Sequence, residues 1–213
     1  MTRDEAVSII QTQLAFRSDK AAEIIVALKG QQERMEHALE LPFFLRSEVS
    51  DINTTVDEER LEVPSDFLRE WDEDALWYFN SAAADASKWT RVVKEELELL
   101  RRNDDFAGEG PPEAYALDHK YFRIFPTPDL AYPMKMIYYG QEAVLDTDIE
   151  NGWLEHVPYL MIGKAGRQIA SALHDKEALA QFAAWESEDQ GILDGMNGVR
   201  DLENRKLQMG GAH

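Results

Sequence analysis

Tyr121-Phe122-Arg123-Ile124-Phe125, then Pro126-Thr127-Pro128-Asp129, then Met134-Lys135-Met136-Ile137-Tyr138-Tyr139 is the stretch on which the fold turns. Its two apolar runs alternate with polar residues at a period of two, the pattern of half-buried antiparallel strands. The proline-rich segment between them predicts a turn. Asp118-His119 predicts a hairpin turn just upstream of Tyr121.

Working outward, the same short, aromatic-rich runs recur at Pro42-Phe43-Phe44-Leu45, Arg60-Leu61-Glu62-Val63, Leu76-Trp77-Tyr78-Phe79 and Trp89-Thr90-Arg91-Val92-Val93. They mark residues 43–148 as a β-rich region. One helix interrupts it, from Lys94 to Arg102 with Leu97 and Leu100 inward, followed by a loop at Gly108-Glu109-Gly110-Pro111-Pro112. Both flanks are helical. Thr2-Arg3-Asp4-Glu5 forms a capping box, and Val7, Ile10 and Leu14 follow at three-to-four spacing. A second start at Ser18-Asp19 leads to Ile24, Leu28, Met35 and Leu39 on one face, and Pro42 ends the run.

Beyond the β-rich region, Trp153, Val157, Leu160, Met161, Ala165, Ile169 and Leu173 keep helical spacing. Pro158 is tolerated there only if the helix begins near Val157. A last helix starts at Asp175 and carries Leu179, Phe182 and Trp185. Gly191, Gly195 and Gly198 then either break it or admit another backbone closely, because each costs about 1 kcal/mol against Ala inside a helix. The fold class is therefore α+β: a helical bundle from the N- and C-terminal segments with an inserted antiparallel β-rich region. Length favours a single domain, with a helical core of 2–42 and 149–207 and a flexible tail at 208–213.

The chain has 213 residues, 41 acidic and 22 basic, for a formal net charge of −19. No run approaches the roughly 18 apolar residues of a membrane span, and no secretory signal core opens the chain. So negative a surface repels nucleic acid at long range, which disfavours groove-reading functions. The acids cluster: residues 48–74 hold eleven acids against Arg60 and Arg69. Such a run is either a solvated face or a surface that DNA slides past without sticking.

Chemistry is sparse. Cysteine is absent, which excludes disulfides, thiolate metal sites and Cys nucleophiles. The five histidines (His37, His119, His156, His174, His213) show no metal spacing. Ile162-Gly163-Lys164-Ala165-Gly166 lacks the upstream glycine and the Ser or Thr of a phosphate loop. Carboxylate pairs abound, but spacing selects none of them for hydrolysis. No cofactor is implied. Trp77, Tyr78 and Phe79 are consecutive, so in a strand at least one faces away from the core, toward another part of the chain or a neighbouring subunit.

Val63-Pro64-Ser65-Asp66-Phe67-Leu68-Arg69-Glu70 leads into the aromatic run at Leu76. Pro112-x-x-Tyr115-Ala116-Leu117 and Phe122-Arg123-Ile124-Phe125-Pro126-Thr127-Pro128-Asp129 come next. Trp153-Leu154-x-x-x-Pro158, Ala170, Asp175-Lys176-x-Ala178-Leu179 and Arg205-Lys206-Leu207-Gln208-Met209-Gly210 complete the series. In this order, over residues 40–210, the chain resembles the head–tail adaptors of tailed bacteriophages, also called head completion or connector proteins and related to the tail tubular A proteins. The glycines of 191–198 depart from the charged, helix-favouring segment expected there, which leaves the length of the last helix open.

The resemblance implies a structural virion protein of the neck, at the head–tail interface, assembled in the host cytoplasm. It implies a homo-oligomeric ring, dodecameric under a twelvefold portal, that joins the portal to tail or nozzle proteins and forms part of the DNA conduit. DNA would pass without specific binding, and no membrane is involved. The C-terminal segment would grip the portal through Arg200, Arg205, Lys206, Leu207 and Met209. Trp77, Tyr78 and Phe79 are the candidate subunit interface, and Asp57, Glu58, Glu59 and Glu62 the candidate lining of the conduit. Two other readings stand beside this one, a carboxylate-based hydrolase and a small acidic interaction module.

Overall fold

The computed structural model describes residues 1–38, 40–72, 75–80, 89–103, 106, 108–145 and 151–210, of which 199–210 as backbone only. The chain divides into two compact units, 1–45 with 142–213, and 46–141.

The first unit is helical. Helix α1 (Arg3–Gln13) opens on the expected capping box: Thr2 Oγ1 accepts the Glu5 amide at 3.2 Å, and Glu5 Oε2 accepts the Thr2 amide at 2.8 Å. A 3-10 turn at Ser18–Lys20 leads into α2 (Ala21–Glu36), which buries Ile24, Ala27 and Leu28. Helix α2 stops well before Pro42, and Leu39 lies outside the described residues. Phe43–Leu45, one of the apolar runs, is a second 3-10 turn.

The run from Trp153 is divided into α4 (Gly152–His156) and α5 (Pro158–Ala172). Pro158 takes the first helical position, where its missing amide costs nothing. The amides that follow it have no capping side chain from Val157. Instead Asp189 Oδ2 accepts both, Tyr159 N at 2.7 Å and Leu160 N at 3.0 Å. Asp189 belongs to α6 (Lys176–Gly210), which Asp175 starts by accepting the Ala178 amide at 3.0 Å.

Helix α6 corrects the expected break at its glycines. It runs unbroken through Gly191, Gly195 and Gly198, and among the described residues nothing outside the helix's own backbone lies within 4 Å of a Cβ built on any of them. Close approach occurs instead on α5. A Cβ on Gly163 would sit 2.8 Å from Phe182 O and 2.8 Å from Glu186 N, and one on Gly166 would sit 2.5 Å from the Phe182 ring. The Gly-Lys-Ala-Gly segment that failed as a phosphate loop is thus the slot into which α6 packs.

The second unit carries two sheets. In the first, β1 (Arg46–Asn53), β9 (Pro133–Gly140), β4 (Leu76–Phe79) and β5 (Trp89–Arg91) are neighbours in that order, and β3 (Phe67–Glu70) also pairs with β9. In the second, the order is β2 (Arg60–Glu62), β8 (Tyr121–Phe125), β7 (Ala114–Asp118) and β6 (Val93–Lys94). All pairings are antiparallel except β6 with β7. The turn between β7 and β8 falls where Asp118-His119 placed it.

Both sheets contribute to one core of Leu61, Leu76, Tyr78, Tyr115, Phe122, Ile124, Met134, Met136 and Tyr138. Helix α3 (Leu97–Arg102) begins three residues later than Lys94, the expected start. Its expected first turn is pulled into the sheet, where Val93 N donates to Glu113 O and Glu95 N to Tyr115 O, each at 2.9 Å. Leu100, with Leu97 beside it, then packs on Ala114, Ala116 and Phe125.

Candidate functional site

Strand alternation separates the three consecutive aromatics of β4. Tyr78 is 6% exposed and belongs to the core. Trp77 and Phe79 lie on the opposite face of the sheet, both half-buried. Register assembles their surroundings. Trp77 stands between Lys135 of β9 and Arg91 of β5, and Phe79 stands opposite Trp89. Further along, Tyr139 lies between Arg46 of β1 and Arg69 of β3. Cross-strand partners point to the same side, so these residues form one surface.

Cations and rings interleave across it. The Lys135 ammonium lies 5.6 Å from the Trp77 ring and 5.3 Å from that of Trp89. The Arg69 guanidinium lies 5.3 Å from Tyr139, and that of Arg46 lies 4.4 Å from Trp71. Phe79 and Trp89 meet edge to face at 5.6 Å. Quadrupole attraction holds each cation against a ring and fixes side chains that would otherwise be mobile. The strands of this face carry Arg46, Arg69, Arg91 and Lys135, with Glu48 beside them and exposed Asp51 in the irregular stretch of β1 between Val49 and Ile52.

The four acids proposed for the conduit divide in two. Asp57 and Glu58 sit on the exposed turn between β1 and β2. Asp57 there takes a left-handed backbone (φ 61), which a short polar side chain tolerates. The turn is pinned: Asp57 N donates to Pro128 O at 2.9 Å and Glu58 N to Thr55 O at 3.2 Å. Thr54 Oγ1 donates to Leu130 O at 3.1 Å and accepts the Tyr132 amide at 2.9 Å, which ties the turn to the loop after β8. Val56 and Leu130 are exposed beside it, at 46% and 59%. Glu59 and Glu62 flank buried Leu61. Glu62 is exposed, whereas Glu59 pairs with Arg123 at 3.6 Å. Arg123 also donates to Asp118 at 3.0 Å and holds that carboxyl below its usual range.

Arg200, Arg205, Lys206, Leu207 and Met209 all fall on the helical backbone of α6, and their side chains lie outside the described residues. Residues 211–213, with His213, also lie outside them. His119 is exposed in the β7–β8 turn, and the His156 ring stacks on Phe44 at 4.9 Å. Among the described residues no three His, Asp or Glu side chains gather as metal ligands. Glu186 faces a groove of the helical unit with Lys164 and Arg167, at 3.1 and 2.6 Å. Burial raises its pKa, but the hydrogen bonds from Arg167 and Lys164 outweigh this and hold the carboxyl below its usual range. Such a group is a paired anion, unsuited to donating a proton.

Sequence reasoning found the aromatic strand and the acidic run but not the cations that register sets against the aromatics. Nor did it find the apolar tip at Val56 and Leu130. Alternation showed that Lys135 faces away from the core; only strand pairing shows that it lies over Trp77 and Trp89. No curated protein is similar enough to the chain to count as a relative. The sequence model of one family, described as SU10 adaptor protein, does match, over residues 2–209. The chain therefore belongs to the SU10 adaptor protein family, the phage head–tail adaptors, and is a structural, non-enzymatic protein of the virion.

Proposed function

We propose that the chain is one subunit of a homo-oligomeric neck ring that joins the portal to tail or nozzle proteins and encloses part of the DNA conduit. The observation that carries this reading is the family match over nearly the whole chain. Surface chemistry supports it. A cyclic assembly needs two different adhesive patches on each copy, and the β-rich unit bears two distinct candidates, the aromatic face around Trp77 and the acidic turn at Asp57. Half-buried Trp77 and Phe79 belong to the first patch, with Tyr78 anchoring the strand from the core side.

The portal contact is assigned to the end of α6, with Arg200, Arg205, Lys206, Leu207 and Met209. This is a locally near-neutral stretch in a very acidic chain, and it lies at the end of α6. Asp57, Glu58 and Glu59, just before β2, and Glu62 on it are assigned to the conduit wall, where negative charge lets DNA pass without binding. A ring matched to a twelvefold portal would be dodecameric. Among the described residues no helix is long and apolar enough to cross a membrane, in keeping with a place in the neck of the particle.

Copy number tests this. Quantitative mass spectrometry of purified virions should give a ratio to the portal protein near one to one. Absence from virions, or a single copy per particle, overturns the ring.

A further inference from the structure

We propose that a basic groove on the helical unit of each copy receives an exposed carboxylate of the next copy, head to tail. The inference rests on the ring reading and names a surface that closes it.

Helix spacing builds the groove. Lys164, Arg167, Gln168 and Ser171 fall at i, i+3, i+4 and i+7 of α5, so they share one stripe of that helix. Gln31 and Arg34 of α2 and Leu179 and Glu186 of α6 line the groove with them. Among these described residues three bases stand against one carboxylate, in a chain of net charge −19. The other carboxylates of the three helices are engaged or lie outside the lining. Glu23 bonds Lys20, Glu36 accepts from Gln32 and Trp153, Asp189 caps α5, and Asp194 accepts from Gln190. Glu33, Glu177 and Glu188 do not line the groove, and neither do the bases Lys29 and Lys176.

Internal bonds account for part of the lining only. Glu186 holds Lys164 and Arg167, and Gln31 Nε2 donates to Gln168 Oε1 at 3.0 Å. The Arg34 guanidinium, the Gln168 amide nitrogen and the Ser171 hydroxyl have no acceptor among the described residues, and all three residues are exposed. A carboxylate suits such donors, because it accepts two guanidinium N–H groups at once in charge-assisted bonds. Copies of an acidic chain repel one another, so a contact between them gains most where a base awaits an acid. Each copy supplies acids in excess, 41 against 22 bases. Groove and acid are different surfaces, so their pairing is heterologous and continues from copy to copy, as a closed ring requires. A DNA phosphate would also suit Arg34, but Glu186 stands in the same groove and the overall charge opposes a polyanion.

Arg34→Lys keeps the charge and introduces an amine, which a water-soluble carbodiimide joins to any carboxylate in contact with it. Virions are assembled with this full-length variant and treated with the reagent. The expected result is a ladder of linked copies extending beyond the dimer, absent from wild-type virions, whose guanidinium is inert to it. Mass spectrometry should place the new link between position 34 of one copy and an acid of another. No ladder, a ladder that stops at the dimer, or a link to a different virion protein overturns the proposal.

Charge reversal supplies an independent readout. Arg34→Glu should lower incorporation into virions by about tenfold. Lys29→Glu makes the same change on the same helix outside the groove and should leave incorporation near wild type, so equal losses overturn the proposal. Arg34 is exposed, and circular dichroism should show both variants folded; should the reversal disturb folding, the Arg34→Lys ladder decides. Binding of a duplex oligonucleotide by the wild-type chain that Arg34→Gln abolishes also overturns the proposal. Copy number near that of the portal with no ladder means that this contact is wrong and the ring reading stands. Copy number far below the portal's overturns the ring reading, and the proposal with it.

Discussion

Gly163→Ala and Gly195→Ala make the same chemical change in the helical unit and should move stability in opposite directions. At Gly195 no described residue beyond the helix's own backbone lies within 4 Å of the added methyl, so helix propensity decides, worth about 1 kcal/mol in favour of Ala. At Gly163 the same gain meets a methyl 2.8 Å from Phe182 O and from Glu186 N. Both are backbone atoms of α6, so relief requires moving the helix. Overpacking of this kind costs about 1–3 kcal/mol, and an immovable backbone places it at the upper end. The net loss is about 2 kcal/mol, which puts the two variants about 3 kcal/mol apart. For a chain of this size that is a difference of about 6–12 °C in Tm. Thermal unfolding followed by far-ultraviolet circular dichroism, with Trp153 and Trp185 fluorescence reporting from the same unit, measures it. A Gly163→Ala protein as stable as wild type would refute the packing argument, and a destabilised Gly195→Ala would refute the open face of α6. The pair also has a functional side. If Gly195 seats another virion protein against α6, Gly195→Ala will fold better and assemble worse.

Asp189→Ala leaves the Tyr159 and Leu160 amides without their acceptor at the start of α5, which should cost about 3 kcal/mol. Faster hydrogen exchange at those two amides is the signature. Glu186 is held below its ordinary value of 4.5, so its stabilising share is complete above that pH and is lost as pH falls through the lower folded value. Glu186→Gln should accordingly flatten the acid limb of stability against pH. At the alkaline end, burial and then the Asp66 carboxylate push the Tyr138 hydroxyl up to about 12. Its share of stability is complete below about 10 and is lost between 10 and 12, and Tyr138→Phe should remove that loss in alkaline unfolding curves.

The elements legible in the sequence are those fixed by near neighbours in the chain. The Thr2 capping box, the proline start of α5 and the alternation of β8 and β9 depend on side chains within a few residues of one another. What escaped depends on partners far away. Lys94 and its neighbours suit a helix, but amide bonds to β7 draw them into a parallel pair. The Gly163 and Gly166 slot has meaning only once Phe182 fills it, and the α6 glycines, which read as breaks, do not end the helix because their cost of about 1 kcal/mol each is modest beside that of leaving so long a helix. The candidate interface follows the same division. Composition located the aromatic strand, and register supplied its cations.

Arg46 opens β1 and Tyr139 nearly closes β9, and the two are direct partners in the ladder. The chain thus leaves the helical segments and returns to them through adjacent strands, whose paired Cα atoms are only about 5 Å apart. A module whose two ends meet in this way is exchangeable. Evolution can lengthen, replace or trim what lies between Arg46 and Gln141 without rerouting the helices on either side, because the gap to be closed stays the same. Relatives facing different tails could therefore diverge freely in the sheets while keeping one helical frame.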